Sequence, residues 1–77
     1  MKIHQKIKFI RIEKGVLQAQ IAEVLEITKQ QYSLYETGRR EIPLHHFVTL
    51  AKYYNVSLDY LAGLIDEPRE LTPQEKE

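Results

Sequence analysis

One stretch of the chain gathers side chains able to read a nucleic acid. On a helix running from Thr28 to about Glu36, with about 100° between successive residues, Gln30, Ser33, Leu34 and Thr37 share one side. Lys29 lies on the flank of that side, and Thr28, Gln31, Tyr32 and Tyr35 lie opposite. A glutamine amide presents a donor and an acceptor that match adenine N6 and N7, lysine donates to guanine O6 or N7, and leucine can cover a thymine methyl. Ser33, Thr37, Arg39 and Arg40 suit phosphate oxygens, which fix register and carry no sequence code. The tyrosine side has to face a core, so the polar edge is expected to face solvent.

Such an edge works only if its helix stands proud of the body. The segment before it, from Gln18 to Leu25, is a second short amphipathic helix, expected to bury Ile21, Ala22, Val24 and Leu25. Two helices joined by almost no loop must cross steeply, which makes the second a ridge of the kind that fits a DNA major groove. Thr28 with Gln31 three residues later is a capping-box start for that ridge, and Gly38 is its expected end.

The remaining elements read as scaffold. Ile3, Ile7 and Ile10 repeat with helical period between Lys2 and about Lys14, and Gly15 closes that helix in a left-handed conformation. Pro43 suits the first turn of a fourth helix whose apolar face holds Leu44, Phe47, Val48, Leu50, Ala51 and Tyr54, with Asn55 stopping it. Ser57 is the expected cap of a fifth helix, with Asp59 in its first turn. There Leu58, Leu61, Ala62 and Ile65 fall on one side and Tyr60 and Leu64 on another, so Tyr60 and Leu64 are expected to face a second subunit. The reading is an all-α, five-helix domain over residues 1–65, followed by an acidic tail over 66–77. That tail holds five acids and two prolines, although Thr72-Pro73-Gln74-Glu75 looks like a helix start.

Composition narrows the function classes. The 77 residues allow one small domain with a modest core, and the absence of cysteine rules out disulfide staples and thiolate metal sites. No apolar run approaches the ~20 residues that span a bilayer, and the first residues lack a signal-peptide core, so a cytoplasmic protein is expected. Net charge is zero, but residues 1–40 carry eight Lys or Arg against four Glu, while residues 41–77 carry three against seven acids. Phosphate attraction depends on the local patch, and the basic half holds the two-helix unit. His4, His45 and His46 lack the i, i+4 pairing that chelation favours; His45 and His46 point about 100° apart on a helix. No phosphate loop, nucleophile context or carboxylate pair in an evident cleft is present, so neither a cofactor nor enzymatic activity is expected.

The sequence resembles the DNA-binding domain of lambda-type phage repressors and Cro, the Xre-like bacterial regulators, over roughly residues 3–64. The match runs through Ile10-Arg11 before Gly15, Gln18-x-x-Ile21-Ala22-x-x-Leu25, Ile27-Thr28, Ser33-x-Tyr35-Glu36-x-Gly38-x-Arg40, and Leu50-Ala51-x-Tyr53 through Leu61. The resemblance implies a five-helix domain that docks its third helix in the major groove, usually as a two-fold dimer. It places Lys29, Gln30, Ser33 and Leu34 at base edges, and Gln18 on a phosphate while bracing the recognition helix. Thr28, Thr37, Arg39 and Arg40 complete the expected phosphate set. It also implies that Arg11 and Glu36 form a buried ion pair clamping the first helix to the third. Two positions depart from the family. Leu17 replaces a Thr or Ser cap, at a cost of ~1 kcal/mol. Glu26 replaces a turn glycine, which costs ~1–2 kcal/mol if the position needs positive φ.

The expected function is a sequence-specific transcriptional regulator, a repressor acting as a homodimer on palindromic double-stranded DNA, with a regulatory protein partner possible. The alternative is a protein-interaction module of the same fold, an adaptor or antitoxin-type partner.

Overall fold

Three successive helices start with the same device. In α1 (Ile3–Glu13) the Gln5 side chain accepts from the Lys2 backbone N–H at 2.9 Å, and in α2 (Gln18–Leu25) Gln20 does the same for Leu17 at 2.8 Å. In α3 (Lys29–Glu36) Gln31 accepts from Thr28 N–H at 3.0 Å, and the Thr28 hydroxyl accepts from Gln31 N–H at 3.0 Å. A glutamine at the third helical position thus satisfies a donor that the helix itself leaves open. For α2 this offsets part of the weakness expected from Leu17. α4 (Leu44–Tyr54) and a single-turn α5 (Leu58–Leu61) complete the set, and Ser57 Oγ caps α5 by accepting from Tyr60 N–H at 3.1 Å.

These positions come from a computed structural model that describes residues 1–67. The described residues form five helices and no strand, the all-α architecture expected. The helix start expected at Thr72–Glu75, and all of the acidic tail but Asp66 and Glu67, lie outside them.

Every helix contributes to one core. Its fully buried large side chains are Ile7 and Ile10 from α1, Ile21 from α2, Tyr32 from α3, Leu50 from α4 and Leu61 from α5. Each aliphatic side chain removed from water in this way contributes ~1.5–3 kcal/mol. Helix ends follow the turn residues. Gly15 closes α1 with φ 71°, Asn55 closes α4 with φ 56°, and Glu26, the residue after α2, sits at φ 60°.

Several expected placements are corrected. Ile3 and Val24 lie at the margins of their stripes and stay partly exposed, because short helices cover only the centre of an apolar face. Pro43 is the cap before α4, not its first turn, with an extended ψ of 151°. The fifth helix stops at Leu61, well short of Ile65, so its second face never forms. Leu58 also stays partly exposed, and Tyr60, expected at a dimer surface, is only 6% exposed. Tyr60 is covered by Lys6, whose Nζ sits 3.9 Å from the ring centroid. Lys6 itself is only 8% exposed, and its ammonium rests on the Tyr60 face with the Phe9 ring 5.6 Å away. This contact ties α5 to α1. Finally, the His45 and His46 rings do not splay; their centroids lie 4.1 Å apart at 43°. Among the described residues no group of three His, Cys, Asp or Glu could hold a metal.

Candidate nucleic-acid interface

Only Glu26, Ile27 and Thr28 separate α2 from α3. Glu26 turns the chain through the left-handed region, and the next amide, Ile27 N–H, donates back to Ala22 C=O at 3.0 Å. This is the bond that ends a helix with a tight reversal. Ile27 packs against the core and anchors the joint, and Ala22, almost fully buried, is small enough for α3 to approach. The result is a tight bend that packs one face of α3 on the body and leaves Lys29 and Gln30 exposed.

On α3 the two faces separate as the tyrosines require. Tyr32 is fully buried and Tyr35 is 8% exposed, and their rings meet edge to face at 6.4 Å. Lys29 and Gln30 are exposed, while Ser33 and Leu34 are half-buried beside them. Lys29, Gln30 and Ser33 line one shallow surface depression, so their polar ends can act on a common partner. Gln31 is exposed even though it shares the tyrosine side, because its amide is turned back onto the Thr28 cap.

The expected phosphate set is spread around this ridge. Arg39 and Arg40 are exposed in the turn after α3. Thr28 uses its oxygen as a cap acceptor and keeps its hydroxyl proton for a partner. Thr37 is exposed and donates its hydroxyl to Leu34 C=O at 3.2 Å, so an outside contact would draw on its lone pairs or require rotation of the hydroxyl. Gln18 is half-buried, and its Nε2 donates to Glu36 Oε1 at 3.0 Å. The start of α2 is thereby tied to the end of α3.

Behind the ridge, Arg11 and Glu36 meet. Arg11 Nε donates to Glu36 Oε2 at 2.6 Å and Nη2 to Oε1 at 3.1 Å, with 12% of the arginine and 2% of the glutamate side chain exposed. The remaining Nη1 donates to Val16 C=O at 2.8 Å, so the guanidinium spans α1, the loop after it and α3. Burial pushes the Glu36 carboxyl toward the neutral form, but the hydrogen bonds to it win and hold its pKa below the ordinary value. The same contact raises the pKa of Arg11. Burial drives the phenols of Tyr32 and Tyr54 well above their usual range, and the negative charge of Glu36 adds to this. The cluster is charged where it is paired and neutral elsewhere.

Sequence reasoning missed Lys6 and His4. Lysines between isoleucines usually mark a solvated flank, and nothing local to Lys6 points to Tyr60. His4 lies against the turn after α3, a proximity that no spacing along the chain encodes.

The sequence and the fold agree with known proteins. The helix-turn-helix family model matches residues 7–61. YobD of Bacillus subtilis (strain 168), an uncharacterized HTH-type transcriptional regulator, is 38% identical over 64 residues, covering 83% of this chain and 57% of YobD. The HTH-type transcriptional regulator ImmR of the same strain is 35% identical over 63 residues, covering 82% of this chain and 50% of ImmR. A crystal structure of a transcriptional regulator from Listeria innocua superposes with a TM-score of 0.77 at 26% identity, covering 86% of this chain and 62% of that one. The chain spans about half the length of the curated relatives it matches.

Proposed function

The chain belongs to the Cro/C1-type helix-turn-helix family of DNA-binding transcriptional regulators, and from that premise we propose that it is a repressor that binds a palindromic operator as a homodimer, with α3 in the major groove. The observation that carries this reading is the division of α3: Tyr32 and Tyr35 are hidden while Lys29, Gln30, Ser33 and Leu34 line the outer edge. Gln30 and Lys29 would read adenine and guanine edges, Ser33 and Leu34 would flank them, and Gln18, Thr28, Thr37, Arg39 and Arg40 would hold the phosphates. The N-terminal end of α3, where backbone N–H groups point outward, adds to the attraction. A two-fold dimer would place half-sites ~10 bp apart, or a multiple of that. Leu64, 76% exposed just beyond α5, is the apolar residue best placed to extend such a dimer contact.

The competing reading, a protein-interaction module, draws support from the zero net charge and from exposed Leu58 and Leu64 near α5. Salt dependence separates the two. Contact with ~6–10 phosphates makes affinity fall by orders of magnitude between about 50 and 200 mM salt. Selection of bound duplexes from a random pool, followed by titration at several salt concentrations, tests the proposal. A flat salt response or the absence of an enriched half-site would favour the rival.

A further inference from the structure

Gly38, which follows the C-terminal cap of α3, has φ +78°, and the space above its α-carbon is taken by His4. A β-carbon there would stand 2.9 Å from His4 Nδ1, 3.0 Å from Cε1 and 3.1 Å from Cγ. The imidazole therefore lies directly against the backbone of the turn that carries Thr37, Arg39 and Arg40. It also separates two surface recesses, one bordered by Glu36 and Thr37, the other by Arg40 and Glu41.

His4 and Arg11 lie seven positions apart on α1, two helical turns, and so share a face about 10 Å apart along the axis. Arg11 grips Glu36 inside α3, and His4 abuts Gly38 just past its end. The ion pair holds one end of the α1–α3 packing, and the His4–Gly38 contact holds the other, beside the turn. The backbone bonds of the turn, Gly38 N–H to Tyr35 C=O at 3.3 Å and Arg40 N–H to Leu34 C=O at 3.2 Å, shape it locally. They do not set its position relative to α1.

We propose that His4 is a positioning residue for DNA binding: its ring, seated on the α-carbon of Gly38, sets the height and tilt of the turn that presents Thr37, Arg39 and Arg40 to the phosphate backbone. The role belongs to the shape of the ring and not to its charge. It rests on the DNA-binding reading above, and groove-facing Gln30 and Lys29 are not part of it.

The test uses the full chain and the duplex that the wild type enriches from a random pool, titrated at several salt concentrations well below the melting temperature. His4→Ala is expected to weaken binding roughly three- to tenfold and to lower the salt slope by roughly one unit, with base preference unchanged. His4→Phe, which keeps a ring, restores both; His4→Lys, which keeps a cation without a ring, does not. A purely structural role would lower the melting temperature and leave the salt slope of the folded fraction alone. Should His4→Ala fold poorly, Gly38→Ala supplies a second arm: its loss of affinity should shrink in the His4→Ser background, where the ring is gone, compared with the wild-type background. Wild-type affinity and slope in His4→Ala, full binding by His4→Lys, or equal Gly38→Ala losses in both backgrounds would each overturn the role of His4. A wild type that binds no duplex would overturn the DNA-binding reading as well, so the two failures are distinct.

Discussion

Arg11 and Glu36, 25 residues apart, meet in a two-pronged contact with the closest N–O distance 2.6 Å. Glu36 is almost wholly enclosed and also accepts from Gln18, so α1, α2 and α3 converge on one carboxylate. The position of α3 is therefore fixed from behind, on the side away from Lys29 and Gln30.

Removing one partner leaves a buried charge without its counterion. Arg11→Met is expected to cost about 3 kcal/mol or more of folding stability, measured by urea denaturation. The double variant Arg11→Met/Glu36→Leu should recover part of that loss. Equal stability for the single variant and the wild type would contradict the enclosed ion pair.

The pH dependence follows from the same carboxylate. The folded chain holds Glu36 below its ordinary value of 4.5, so the unfolded chain takes up the proton first as pH falls. The stabilisation is complete above about 4.5 and is lost as pH drops through the lower folded value. His46, depressed from 6.5 first by burial and then by neighbouring His45, adds a loss of the same sign that begins as pH falls below about 6.5. Glu36→Gln should remove the lower phase of the stability-against-pH curve and leave the upper one.

At the groove edge, Gln30→Ala should weaken binding to the enriched duplex by ~1–3 kcal/mol and relax preference at one base position. Repeating the selection with the variant checks this, and an unchanged base preference would remove Gln30 from the reading set.

Arg40→Ala should act differently. Affinity should drop by a similar factor for every sequence, with the salt slope lower by about one unit. Discrimination among duplexes should be retained.

The burial of Tyr60 separates stability from association. Tyr60→Ala is expected to cost ~3–5 kcal/mol, as large core truncations do, and to deprive the Lys6 ammonium of its nearer aromatic partner. Leu64→Ser should leave the melting temperature of the isolated domain unchanged while weakening self-association in sedimentation experiments.

What the sequence makes legible is whatever short-range chemistry decides. The Thr28–Gln31 cap, the Ser57 cap and the Asn55 stop all lie within a turn of the backbone they act on, and each is visible in the order of residues. The division of α3 follows from helical period because two bulky tyrosines must hide together. Tyr60 misled because period alone cannot tell a core face from a contact face once a helix shrinks to one turn. Lys6 and His4 were beyond reach for a related reason. Their partners, Tyr60 and Gly38, are brought to them by the tertiary fold. Glu36 is an intermediate case, since nothing in helical period makes an acid buried and only likeness to a family suggests its pairing with Arg11.

Glu26 occupies a left-handed backbone conformation that a glycine would hold with ~1–2 kcal/mol less strain, at the joint from which α3 springs. The chain therefore sits below the thermal tolerance its own architecture permits. Heat resistance could be raised at that joint without touching a single side chain on the outer edge of α3.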